Sequence, residues 1–112
     1  FGVNNPKILN AIAAHHHEWW NGAGYPNGLI DESIPLAARI VAIADVFDAL
    51  VNRRPYKEAL PVSQALAIMT EERGRHFDPN LLDCFLQQQF EILKVMELYA
   101  DERGAMTDAS PL

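Results

Sequence analysis

Apolar residues recur at three- and four-residue intervals in four stretches of the chain and nowhere alternate convincingly with polar ones, which predicts an all-α protein, a bundle of about four helices. The first pattern opens at Asn5-Pro6, proline being tolerated in a first helical turn. It carries Ile8, Leu9, Ile12 and Ala13 toward three histidines, His15 to His17, at its C-terminal end. The second, about Ile34 to Asn52, is apolar almost all round, the pattern of a central helix enclosed by protein. A third, from about Pro61 to Arg73, places Ala65, Leu66, Ile68 and Met69 on one face and stops at Gly74. Asp78-Pro79 sets an N-cap before a first-turn proline and opens a fourth helix through about Tyr99, with Leu81, Leu82, Phe85, Leu86, Ile92, Leu93 and Met96 as its apolar positions. The expected organisation is one helical domain over residues 1–100 and a flexible tail over 101–112.

Composition narrows the class. With 112 residues, 49% of them hydrophobic and 21% charged, the chain suits one packed core. A net charge of -6 argues against binding nucleic-acid polymers or anionic membranes, so any phosphate must be met locally. No apolar run approaches the roughly 20 residues of a membrane span, and no leader pattern opens the chain. The single cysteine, Cys84, excludes an internal disulfide, fits a reducing cytoplasm and is expected to be a buried spectator. A start at Phe1, in Phe-Gly-Val-Asn-Asn-Pro, reads as the middle of a longer protein.

Candidate chemistry concentrates in His15–Gly28, HHHEWWNGAGYPNG, where a histidine run meets a loop of turn-forming glycines, Pro26 and Asn27. On the helix expected to be central, Asp45 and Asp48 stand at i and i+3. Buried carboxylates so close need cations or donors, and Arg39, six residues from Asp45, points well off that face. They either bond backbone or Arg53 or Arg54, or a carboxylate from this helix completes a metal site with the histidines of the facing one. Adjacent helical histidines diverge by about 100°, so they reach one ion through distortion or two neighbouring ions readily; alone, the run also reads as a solvated helix end. His76 reads as a loop histidine bonding backbone beside Phe77. The cations of Arg53-Arg54-Pro55-Tyr56-Lys57 either complement a helix C-terminus or hold phosphate oxygens.

His16-His17-x-x-x-x-Gly22-x-Gly24-Tyr25-Pro26 resembles the HHxxxxGxGYP motif of HD-GYP domains, all-helical cyclic-di-GMP phosphodiesterases of the HD metal-dependent phosphohydrolase superfamily. The run IPLAARIVAIADVFDAL, then Arg53 to Lys57, then His76-Phe77-Asp78-Pro79 follow in the family's order, so the likeness covers about Asn5 to Leu86. The resemblance implies that His16, His17 and Asp45 ligate metal and that Tyr25, Arg54 and Lys57 hold the dinucleotide's phosphates, with weaker claims for His15, Asp48 and Arg53. It implies a divalent transition metal such as iron or manganese, two or more ions in a complete domain, that activates water to attack the phosphodiester. Separately, a central helix left partly uncovered in a truncated domain predicts a homodimer in isolation, and a non-catalytic module would take diguanylate cyclase partners at the GYP loop. Two departures stand out: Asn21 and Trp19 occupy positions where the family usually has Asp and often Arg, and no His-Asp dyad occurs in the chain. The expected reading is the C-terminal portion of an HD-GYP phosphodiesterase, inactive alone. The alternative is a degenerate module that binds partner proteins without catalysis.

Overall fold

The computed structural model describes residues 5–107 and is all-α, with α1 over Pro6–His15, α2 over Leu36–Val51, α3 over Val62–Glu71 and α4 over Pro79–Thr107. A short 3-10 turn, Asp31–Ser33, precedes α2. Local chemistry sets the boundaries. The Asn5 side chain accepts from the Lys7 amide and Pro6 fills the first turn of α1. Asn52 leaves the helix in an extended conformation and ends α2. Beyond α3, Gly74 adopts a left-handed backbone (φ 76°) that a side chain would oppose. At the start of α4, Asp78 Oδ1 accepts from the amides of Asn80 (2.9 Å) and Leu81 (3.2 Å), the cap that Asp78-Pro79 foretold.

α2 packs against α1, α3 and α4. Ile43, Met69, Phe77 and Leu82 form a buried cluster, flanked by Val46, Phe47, Leu50 and Phe85, with Phe47 and Phe85 meeting edge to face at 5.2 Å between centroids. Across the bundle, Arg39 Nη1 donates to Asp78 Oδ2 at 2.7 Å while Arg39 Nε donates to the Ile34 carbonyl at 2.9 Å. One buried ion pair therefore ties α2 to the residue that caps α4.

Three expectations are corrected. α2 is not enclosed: it buries only Ala38, Ala42 and Ile43, and it leaves Leu36 and Ile40 half exposed because its packed side alone is covered by the other described helices. Cys84 is exposed, since its side of α4 meets no neighbouring element there. α4 runs on to Thr107, past the end expected near Tyr99; the side chains of Met96 and Tyr99 and the whole of residues 108–112 lie outside what is described. At about 1.5 Å per residue its 29 residues span roughly 44 Å. The radius of gyration of 17.4 Å, against about 13 Å for a spheroidal chain of this length, reflects this projecting rod.

Candidate functional site

α1 ends within the histidine run, and its last turn sorts the three rings. His16, the C-cap, brings Nδ1 to within 2.7 Å of the Ile12 carbonyl. A carbonyl only accepts, so Nδ1 is the donor and Nε2 is the nitrogen that a metal would take in the neutral ring, the arrangement in which a ligating imidazole is oriented by its other nitrogen. The His17 ring is exposed, lies 3.9 Å from that of His16 between centroids, and stacks on Tyr25 at 5.0 Å. His15 turns away from this pair, its Nδ1 3.4 Å from Glu18 Oε2.

Glu18, which the sequence reading passed over, organises the loop that follows. Its carboxylate is 2% exposed and accepts from the amides of Asn27 (3.1 Å) and Leu29 (3.0 Å). Burial pushes its pKa up, but the amides of Asn27, Leu29 and Gly28 together with His15 outweigh that push and hold the carboxyl below its ordinary value. Gly24 lies so close beneath the chain that a Cβ there would come within 3.0 Å of backbone atoms of His17, Glu18 and Trp19. The Tyr25 amide donates to the His17 carbonyl at 3.2 Å, and Tyr25 itself is 60% exposed. Asn21 fills the place of the usual acid without loss of the turn, because its Oδ1 accepts from the Ala23 amide at 3.0 Å as a carboxylate would.

The α3–α4 connector braces the other side of the loop. The amides of Trp20 and Asn21 donate to the carbonyls of His76 (3.0 Å) and Arg75 (2.9 Å), and the His76 ring is sandwiched between Trp19 at 4.2 Å and Phe77 at 4.3 Å. The His76 carbonyl accepts from the loop, but its ring, expected to bond backbone, instead stacks between the two aromatic rings. Its stacking against Trp19 gives that departure from the family pattern a structural role. Burial holds the His76 imidazole below its ordinary value of 6.5, partly offset by Glu72. As pH falls below about 6.5 the unfolded chain takes up this proton before the folded one does, so the stability present above that value drains away on acidification. Urea midpoints are expected to fall between pH 7 and 5, and His76→Phe, which keeps the stack, should flatten that fall; an unaltered slope would count against the assignment.

The expected carboxylates behave differently from a buried ligand set. Asp45 and Asp48 are both exposed, since α2 is open on their side. Asp48 pairs with Arg54 Nη2 at 3.0 Å and takes Asn52 Nδ2 at 2.6 Å, one of the two ordinary roles anticipated for it. Among the described residues no three His, Cys, Asp or Glu side chains come together as a metal site. His16 and His17 have the right donor chemistry, but the described residues alone do not complete a site. Arg54 and Lys57 exchange backbone hydrogen bonds across a tight turn (2.9 and 3.1 Å), which brings both cations to the C-terminal end of α2. There Lys57 Nζ donates to the carbonyls of Leu50 (3.3 Å) and Glu58 (3.0 Å), the helix-end interaction that was one of its two readings.

Comparison with known proteins places this geometry. A family model described as HD domain matches residues 4–81, and the chain belongs to that family. The matched segment contains the His16-His17 to Tyr25-Pro26 motif, consistent with a portion of an HD-GYP domain. The chain is 46% identical over 100 residues to a probable cyclic di-GMP phosphodiesterase of Vibrio cholerae, an alignment covering 89% of this chain and 23% of that protein. It is 52% identical over 84 residues to the cyclic di-GMP phosphodiesterase response regulator RpfG of Xanthomonas campestris pv. campestris, covering 75% of this chain and 22% of that one. Among solved structures, a cyclic GMP-AMP-specific phosphodiesterase of V. cholerae superposes with a TM-score of 0.64 at 28% identity, over 79% of this chain and 20% of that chain. The chain therefore spans less than a quarter of the length of these relatives.

Proposed function

We propose that this chain is the C-terminal portion of an HD-GYP domain in a longer bacterial signalling protein that hydrolyses a cyclic dinucleotide with the help of divalent metal. The observation that carries the reading is the pairing of His16 and His17, with Nε2 of His16 left free and the Tyr25 ring stacked on His17, inside a segment nearly half identical to proteins named as cyclic di-GMP phosphodiesterases. In this reading His16 and His17 contribute ligands to a centre completed by residues elsewhere in the longer protein, and Asp45, exposed on α2 and not clustered with them among the described residues, is the further ligand that the family resemblance assigns. Such a centre, holding iron, manganese or a similar divalent transition metal as the family resemblance implies, would supply Lewis-acid chemistry toward the phosphoryl group when bound. This chain's own part is to bind and orient. Tyr25 forms the lip beside the histidines, and Arg54 and Lys57 meet phosphate oxygens. Arg54 must exchange Asp48 for phosphate, which costs little because an exposed pair is worth only about 0–1 kcal/mol.

Cyclic di-GMP is favoured because the two relatives named for it above are 46% and 52% identical, and cyclic GMP-AMP is the neighbouring choice, since relatives named for that substrate are 40–43% identical. A second reading, docking of a diguanylate cyclase on the GYP loop without catalysis, draws support from the 60% exposure of Tyr25. Half-exposed Leu36 and Ile40 support a homodimer. No helix among the described residues is long and apolar enough to cross a membrane; the cytoplasmic setting we propose for this segment rests on its lone cysteine, which fits a reducing compartment. The test is to supply the metal-loaded longer protein with each dinucleotide and follow linear product by chromatography. Product from either supports hydrolysis, and its profile ranks the two substrates; both dinucleotides left intact would favour the docking role.

A further inference from the structure

We propose that Glu18 is a positioning residue for the substrate-facing loop: its carboxylate, rather than apolar packing, sets where Tyr25 stands relative to His17. This rests on the phosphodiesterase reading above. Tyr25, Pro26, Asn27 and Gly28 are all exposed, so burial contributes little to holding them. A stretch with this content of glycine and asparagine is ordered only if its backbone amides are held. Glu18 holds two of them, the Asn27 amide on Oε2 and the Leu29 amide on Oε1, at 3.1 and 3.0 Å. The carboxylate is 2% exposed, so water does not compete for it, and hydrogen bonds to an ionised acceptor are about twice as strong as neutral ones. His15 Nδ1, 3.4 Å from Oε2, steadies the same group from the helix side.

The geometry is a triangulation. Glu18 follows His17 directly in the chain and grips the loop at two points beyond Tyr25, while the Tyr25 amide is anchored on the His17 carbonyl at 3.2 Å. The phenol ring is thereby set against the imidazole at 5.0 Å, with an interplanar angle of 16°. Loss of the carboxylate leaves one of these anchors and removes two. The helices should not notice, because none of the three bonds involves α2, α3 or α4. Substrate binding should, because the lip is then free to move.

Two variants of the full-length protein test this. Glu18→Ala removes both acceptor oxygens. Glu18→Gln keeps the shape and one carbonyl oxygen but turns an amide N–H toward one of the backbone donors. Deuterium exchange followed by mass spectrometry is expected to accelerate about tenfold or more in peptides covering residues 21–31 of Glu18→Ala, and less in Glu18→Gln, with peptides from α2 and α3 unchanged. KM for the cyclic dinucleotide should rise about tenfold or more in Glu18→Ala while kcat stays within about threefold. Unchanged exchange in the loop overturns the proposal, as does acceleration spread evenly through α2 and α3, or a local acceleration with KM unaltered. A wild-type protein that leaves cyclic dinucleotides intact sinks the phosphodiesterase reading instead, and the exchange pattern then decides by itself whether Glu18 anchors the loop.

Discussion

Arg39→Met is expected to destabilise the fold by about 3–5 kcal/mol, the cost of stranding one charge of a buried pair. The Asp78 side chain is 5% exposed and that of Arg39 14% exposed, so neither end is well hydrated if its partner is removed. Asp78 cannot swing out to water without giving up the amides of Asn80 and Leu81, which begin α4. The Ile34 carbonyl would lose its donor as well. Methionine keeps much of the arginine stem's volume, so the loss reports the charge and its hydrogen bonds more than a cavity. Asp78→Asn, which keeps an acceptor for the α4 amides, should cost less, and the double variant should cost less than the sum of the singles. Urea unfolding at pH 7 measures all three; a loss under about 1 kcal/mol for Arg39→Met would show that the pair contributes little.

On the phosphodiesterase reading proposed above, Gly24→Ala is expected to lower turnover of a cyclic dinucleotide by the longer protein about 100-fold, the scale on which a displacement near 1 Å acts on a reacting geometry. The reason is space rather than backbone conformation. An added methyl group would come within 3.0 Å of backbone atoms of His17, Glu18 and Trp19, and backbone cannot move aside as a flexible side chain does. Either the loop lifts, carrying Tyr25 with it, or the end of α1 shifts and carries His17. Because none of the crowded atoms belongs to the Ile43–Met69–Phe77–Leu82 cluster, which the loop reaches only through the Trp19–His76–Phe77 stack, the melting temperature should change by only a few degrees. Parallel assays of initial rate and thermal unfolding check this, and wild-type turnover in the variant would show that the close approach is dispensable.

The fold was legible where chemistry is local. Asn5-Pro6 and Asp78-Pro79 announce helix starts by the φ of proline and the oxygen of the preceding side chain, and Gly74 announces a stop. The histidine–glycine–tyrosine–proline stretch likewise carries its resemblance in residues that are neighbours in the chain. What could not be read depends on cover and on distance. An all-round apolar pattern in α2 says that something must shield it, not that the shield lies in these residues, and so Asp45 and Asp48 were expected inside and are found exposed. Arg39 was weighed against Asp45 six residues away, whereas its partner is Asp78, thirty-nine residues on. Glu18 escaped notice because its partners are backbone amides, which every residue but proline carries. Only the path of the loop decides which of them converge on one carboxylate.

The bonds from Glu18 to residues 27 and 29 span nine and eleven residues, against the thirty-nine spanned by Arg39 and Asp78. Loop-closure entropy grows only with the logarithm of that span, so the distant contact costs only about 1 kcal/mol more to close than the near ones. Extra residues inserted in the connector between α2 and α3 would lengthen only the larger circuit, at a modest entropic penalty.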